Sequence, residues 1–465
     1  MLFKHFYDPD LAQGSYLIGC QATGEAIVID ARRDIDVFIK EAEANGMKIV
    51  AVTETHIHAD YLSGSRELAN ATGAQLYLSD EGNADWKYGF DGIKLYDNDE
   101  IKVGNIVVKA QHTPGHTPEH LSFLVTDGAT TENPGFYLTG DFVFVGDIGR
   151  PDLLDEAAGG IDTRFVGAKQ LFQSLKNKFL NLPDYVQVWP AHGAGSACGK
   201  ALGAIASTTV GYERLFSWWA PFVLSDDEEG FSKFLLEGQP DAPLYFGRMK
   251  RQNKAGPAIL GNLKALEEYN PSAVEHEING DFILVDTRSR DSYMKAAVPG
   301  ALHIPYGKQF VTYASYVIDP EADTRPIIVV AKDAAQAENM RQELFRVGID
   351  KVVGYITSVE DLKKAPVPTV SIGEFKAMSK PYVLDVRTKN EYSEGHIEGA
   401  HQLHAGRVLW HLHDLPEDET IVSYCRSGAR VAVAASALRA AGFKVAELEG
   451  SWQGWEEAQK ELVNA

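Results

Sequence analysis

Cysteine is scarce, positive charge is outnumbered, and no long apolar run occurs in this chain of 465 residues. The only cysteines, Cys20, Cys198 and Cys425, stand far apart, which excludes a disulfide framework and predicts free thiols in a reducing compartment. Lys and Arg total 44 against 65 Asp and Glu, a net charge of -21. That balance repels nucleic acid and anionic membranes and removes both from the expected partners. No apolar run reaches the roughly 18 residues of a membrane helix, and Met1 to Asp8 lacks the basic and apolar regions of a signal peptide. A soluble cytoplasmic protein is expected. The length suggests roughly three domains, and an apolar content of 45% is ample for several cores.

The most informative stretch is Thr55-His56-Ile57-His58-Ala59-Asp60-Tyr61, which follows the apolar run Ile49 to Thr53, read as a buried strand. Two histidines and a carboxylate just past a strand end suit zinc or iron. The plain alternative is a polar loop with Asp60 capping a helix that starts near Ser63. Further strands are expected over Ser15–Cys20, Glu25–Asp30, 75–78, 106–111, 121–125, 136–139 and 186–189, with a helix over Ile35–Ala44. Ligand-type residues close most of these strands: Asp30, His56, His112 or His116, Asp141 and His192. An α/β scaffold builds sites this way, because rigid strands deliver their following loops to one place.

Four ordered motifs carry a resemblance: Thr55 to Asp60, then Thr113-Pro114-Gly115-His116-Thr117-Pro118, then Thr139-Gly140-Asp141, then Pro190-Ala191-His192-Gly193. Together they resemble the metallo-β-lactamase superfamily, which implies an αββα sandwich over residues 1–247. Two-metal hydrolases of that superfamily need a histidine after the motif's aspartate, where this chain has Tyr61. With Gly149-Arg150-Pro151-Asp152, the pattern resembles the persulfide dioxygenase branch. That resemblance implies one Fe(II) per chain on His56, His116 and Asp141, with three coordination positions left for persulfide sulfur and O₂. It also implies that His58, Asp60 and His192 orient ligands and water. Arg150 either pairs with Asp152 or, as the favoured expectation, meets carboxylates or phosphates of a thiol cofactor at the pocket mouth. Cys198 is expected to approach the pocket and Cys20 to be a small buried hydrophobe. His112, His120, Asp147 and Asp155 are expected in loops or solvent. Residues 208–219, with Tyr212, Phe216 and Trp219, read as a helix packed on the core, and Arg248 to Pro257 reads as a linker.

The second half repeats itself. Ile283 to Arg288 matches Val383 to Arg387, Pro299 to His303 matches Glu398 to His401, and Ile327 to Val330 matches Ile421 to Tyr424. Two α/β units follow, over 248–365 and 366–465. The last carries Cys425-Arg426-Ser427-Gly428-Ala429-Arg430 between a strand and an Ala-rich helix, which resembles the active-site loop of rhodaneses. A cysteine at a helix N-terminus, with Arg426 and Arg430 nearby, suits a thiolate that accepts sulfane sulfur. In the middle copy Ala331 stands at that place, so this copy is expected to be an inactive spacer.

The whole order is similar to CstB-type persulfide dioxygenase–sulfurtransferases. It implies oxidation of low-molecular-weight thiol persulfides (glutathione, coenzyme A or similar) by O₂ to sulfite, thiosulfate formation through Cys425, a role in sulfide detoxification, and a homo-oligomer. Two other readings stay open: a zinc thioester hydrolase of the glyoxalase II kind joined to a sulfur carrier, and a non-enzymatic sulfur-relay or sensing protein.

Overall fold

The computed structural model describes residues 1–156, 159–275, 278 and 280–463. They gather into two units, Met1–Ala242 with Phe246–Leu263, and Pro243–Tyr245 with Lys264–Ala465. Among the described residues no helix is long and apolar enough to cross a membrane.

The first unit is built on two six-stranded sheets. One runs β1 (Leu2–Asp8), β2 (Gln13–Cys20), β3 (Glu25–Ile29), β4 (Lys48–Thr53), β5 (Gln75–Ser79) and β6 (Ile93–Leu95) in chain order. It is antiparallel through β3 and parallel from there on. The other holds β7 (Glu100–Val103), β8 (Ile106–His112), β9 (Leu121–Asp127), β10 (Phe136–Gly140), β11 (Gln187–Pro190) and β12 (Thr208–Thr209) in sequential order. Side chains alternate across each strand, so one strand serves two layers. Tyr16, Ile18 and Cys20 face the layer between the sheets, with Val108, Ala110, Leu121 and Phe123. Leu17 points the other way, into a layer with Phe38 and Leu68 of the helices Asp36–Ala44 and Ser65–Thr72. Leu124, Tyr137 and Val188 pack outward on Leu171, Phe172 and Leu175 of the helix Thr163–Asn177. The outcome is the expected αββα sandwich, with the ligand-bearing loops at strand ends.

Several local expectations change. The stretch 208–219 divides into β12, the helix Val210–Phe216 and a turn. Trp219 is core, whereas Tyr212 and Phe216 are exposed. The expected linker Arg248–Pro257 is mostly the helix Tyr245–Ala255, and the first unit continues to Leu263, past the boundary expected at 247. This amphipathic segment has work in the first core: Lys250 lies 4.1 Å over the Trp86 ring, and buried Asn253 reaches the first motif.

The second unit contains two five-stranded parallel sheets of the same order. The first has β13 (Glu267–Glu268), β14 (Ile283–Asp286), β15 (Leu302–His303), β16 (Ile327–Val330) and β17 (Val352–Ile356). The second has β18 (Thr369–Val370), β19 (Tyr382–Asp385), β20 (His401–Gln402), β21 (Ile421–Tyr424) and β22 (Val445–Leu448). β16 and β21 are equivalent central strands, which puts buried Ala331 and Cys425 at matching places just beyond them. In both copies an Asp-x-Arg fork closes the first central strand: Arg288 on Asp286, and Arg387 on Asp385.

Candidate active sites

The metal candidate is assembled from both sheets of the sandwich. His56 follows β4, His116 lies in the turn after β8, and Asp141 follows β10. Each is buried, and one ligand atom from each lies within 4.8 Å of the others. The histidines are pre-oriented: His56 Nδ1 is 2.9 Å from Thr55 Oγ1, and His116 Nδ1 is 3.0 Å from the Arg150 carbonyl. With Nδ1 engaged, each presents Nε2. Among the described residues no N–H or O–H donor reaches either Asp141 oxygen or His192 Nε2, although all are buried. Buried acceptors without donors are costly, and a cation between them removes the cost, so the residues fit a metal ion.

The remaining motif residues surround this triad. His58 is buried, with Nε2 3.1 Å from Asp30 Oδ1. Burial opposes its charging, but Asp30, Glu54 and Asp60 outweigh burial and push it up to about 9. Asp30 also accepts from the Thr55 backbone and hydroxyl. The Tyr61 ring packs tilted against His58 at 4.5 Å between centroids, and its hydroxyl donates to the Asp30 carbonyl. Asp60 and His192 lie 3.3 Å apart, and His192 Nε2 is 3.4 Å from Asp141. Cys198 completes a second buried triad with Asp60 and His192. Its thiol is pushed up by burial and by Asp141 and Asp60. Cys20 is a core residue at the end of β2, as expected.

Other residues depart from expectation. Arg150 is 0% exposed: its Nε and Nη2 fork onto Asp152, and Nη1 donates to the Ala197 carbonyl at 3.0 Å. With its donors committed inside the protein, it does not stand at a pocket mouth. Asp147, expected in solvent, is buried and accepts from the Lys200 and Ala201 backbone and from Trp218 Nε1. Asp155 is half-buried and caps the helix at Thr163. His120, also expected in a loop or solvent, is buried and stacks on His56 at 5.1 Å. Its Nε2 accepts from the Asp141 N–H at 3.1 Å, and its Nδ1 faces Thr113 Oγ1. Gly140, at φ +53°, leaves room for this contact, since a Cβ there would sit 2.6 Å from His120 Nε2. Asn253 was not anticipated at all: its amide donates to the His58 and Tyr61 carbonyls and accepts from the Ser63 N–H. Close to the His116 turn lies a cavity of about 710 Å³ lined in part by Trp86, Pro118, Leu154, Lys250 and Lys254.

The sequence model of the metallo-beta-lactamase superfamily matches residues 9–192, and that of the rhodanese-like domain matches 270–365 and 371–458. A solved metallo-beta-lactamase structure from Staphylococcus aureus subsp. aureus COL is 38% identical, covering 77% of this chain and 99% of that one, with a TM-score of 0.66. The chain belongs to the metallo-beta-lactamase superfamily, with two rhodanese-like domains following. Within that superfamily the chain resembles proteins of two activities. The mitochondrial persulfide dioxygenase ETHE1 of Bos taurus is 28% identical over 200 residues, 41% of this chain and 68% of that protein. A hydroxyacylglutathione hydrolase from Polaromonas sp. is 27% identical over 263 residues, 51% of this chain and 92% of that protein.

The second rhodanese-like domain places Cys425 directly after β21, buried, with the Gly428 N–H donating to its Sγ at 3.1 Å. The loop is fixed on the far side by Trp452 N–H donating to the Cys425 carbonyl and Gln453 N–H to the Arg426 carbonyl. Arg426 is exposed. Arg430 forks onto Glu391 at 2.6 and 2.7 Å, so part of its charge is compensated. Burial acts to raise the Glu391 carboxyl, but Arg430 and the Thr388 backbone and hydroxyl bring it down to about 2. Arg387, held by Asp385, lies 4.5 Å over the ring of Trp452, the residue whose N–H holds the Cys425 carbonyl.

Proposed function

We propose that the protein is a mononuclear iron persulfide dioxygenase coupled to rhodanese sulfur transfer. The observation that carries this reading is the buried His56–His116–Asp141 triad, whose two-histidine, one-carboxylate composition suits ferrous iron with open positions. Iron bound there supplies the redox chemistry with O₂. The chain does the rest. Thr55 and the Arg150 carbonyl hold the two imidazoles by Nδ1, His120 holds the Asp141 backbone, and the surrounding side chains exclude bulk water. Lys250 and Lys254, in the cavity lined by Pro118 two residues beyond His116, would offer cationic partners to the carboxylates or phosphates of the thiol carrier, the task expected of Arg150. The overall change is RSSH + O₂ + H₂O → RSH + SO₃²⁻ + 2H⁺. At the other site the Cys425 persulfide gives its terminal sulfur to sulfite, regenerating the thiolate and releasing thiosulfate. The Gly428 N–H faces Sγ, where it stabilises the thiolate that is regenerated when the terminal sulfur leaves.

A second reading, a two-metal thioester hydrolase, draws on one observation: Cys198 brings a third ligand type to Asp60 and His192, which compensates for the histidine missing at Tyr61. Metal analysis of the purified chain with O₂ uptake on glutathione persulfide separates them. One iron per chain and O₂ consumption support the dioxygenase. Two zinc ions per chain with thioester cleavage and no O₂ uptake would replace it by the hydrolase. Replacing Cys425 by Ser should leave O₂ uptake intact and divert the product from thiosulfate to sulfite; lost O₂ uptake would refute the division of labour.

A further inference from the structure

The copy without a cysteine was expected to be a spacer, yet it reaches the chemistry of its neighbour. Arg290 lies just after the Asp286-x-Arg288 fork of the middle domain, where the repeat has Lys389 after Asp385-x-Arg387. Its Nε donates to the Gly428 carbonyl at 3.0 Å, and its Nη2 meets Glu447 Oε2 at 3.1 Å. Glu447 is 1% exposed on β22 and also pairs with Arg439, which in turn reaches the Tyr293 hydroxyl of the middle domain. Gly428 itself adopts φ +108°, and a Cβ there would lie 2.8 Å from the Arg290 guanidinium carbon. The residue that gives its N–H to Cys425 Sγ is therefore gripped by its carbonyl from the other domain.

We propose that the middle domain is a working part of the Cys425 site, with Arg290 as a positioning residue that holds Gly428 so that its N–H faces the sulfur. A glycine in the left-handed region has many other conformations open to it. The Gly428 carbonyl also accepts from the Ala432 N–H at 3.2 Å as the following helix begins. The charged donor of Arg290, itself anchored on buried Glu447, adds a second restraint from outside the helix and narrows that freedom further, aiming the N–H. Arg290 acts on the loop and not on the sulfur donor, so its loss should slow the covalent step without weakening donor binding. The proposal rests on the sulfur-transfer reading of Cys425. In that step the Cys425 thiolate attacks the outer sulfur of thiosulfate, the S–S bond breaks and sulfite leaves with its electron pair. Cyanide then takes the sulfur as thiocyanate and returns the thiolate.

The test uses the full chain with thiosulfate and cyanide, and separately follows alkylation of Cys425 by iodoacetamide, read on the Cys425 peptide by mass spectrometry. For Arg290→Ala, kcat should fall about tenfold, the loss of one charge-assisted hydrogen bond, with the KM for thiosulfate unchanged. Alkylation should slow by a similar factor, and Arg290→Lys, which keeps a cationic donor, should recover most of both. If Arg290→Ala does not fold, Arg290→Gln, with a neutral donor, should fall between wild type and that loss. Wild-type kcat and alkylation in the folded variants, or a rise in KM alone, would overturn the proposal. A wild-type chain that forms no thiocyanate would refute the sulfur-transfer reading, while the alkylation rates would still decide the role of Arg290.

Discussion

Replacing Arg150 by Met should destabilise the first unit far more than it changes substrate handling. Arg150 is wholly buried, and Asp152, at 6% exposure, has its carboxylate forked by Nε and Nη2. Methionine keeps much of the apolar stem but leaves that carboxylate without its counter-charge. Breaking a buried pair from one side costs about 3–5 kcal/mol, and the Ala197 carbonyl loses a charged donor as well. At roughly 2–4 °C per kcal/mol for a unit of this size, the melting transition should drop by about 6–20 °C. Calorimetry of the full chain reads it, the relevant transition being the one that moves in a variant of the candidate metal triad such as Asp141→Asn. The double replacement Arg150→Met with Asp152→Leu should recover most of the loss, since removing both charges also removes the burial penalty. A transition within about 2 °C of wild type, together with a raised KM for glutathione persulfide, would refute this reasoning and return Arg150 to the pocket mouth.

Three other outcomes follow from the same contacts. His120→Ala, which removes the acceptor for the Asp141 N–H, should weaken metal binding about 10–100-fold in chelator competition without deleting a candidate ligand. Asn253→Ala should lower the first unit's transition, by about 1–3 kcal/mol for each buried group left unsatisfied; a linker residue would leave it unchanged. Glu391, held down at about 2 from an ordinary 4.5, contributes stability that is present above pH 4.5 and lost as the pH falls toward 2. Calorimetry between those limits should therefore show a steeper acid loss of the second unit in wild type than in Glu391→Gln.

What could be read from the sequence follows the range over which each signal acts. The strands before His56, Asp141 and Cys425 are apolar runs with local boundaries, and the motifs after them are contiguous, so fold and candidate ligands were legible together. His120 was misjudged because its burial depends on His56 and Asp141, which arrive from other strands. Its place directly before the apolar run 121–125 was the available signal. Asn253 had none, lying 190 residues from the Ser63 whose N–H it accepts, inside a polar segment that resembles a linker until its helix is docked. Arg150 was misplaced for a related reason: the sequence offered Asp152 as a partner but did not reveal that the Ala197 carbonyl would claim another donor.

The metal candidate draws His56 from the end of a strand in one sheet and His116 and Asp141 from the other. An ion held by all three would be a staple across the sandwich, joining layers otherwise held mainly by apolar contact. Its binding free energy then belongs to the fold, adding about 2.7 kcal/mol when the free metal stands at a hundred times its dissociation constant and fading as the metal is withdrawn. Scarcity of that metal would be felt first as a looser sandwich, exposed to proteolysis, so that the amount of this protein, and not only its activity, would follow the supply of the metal.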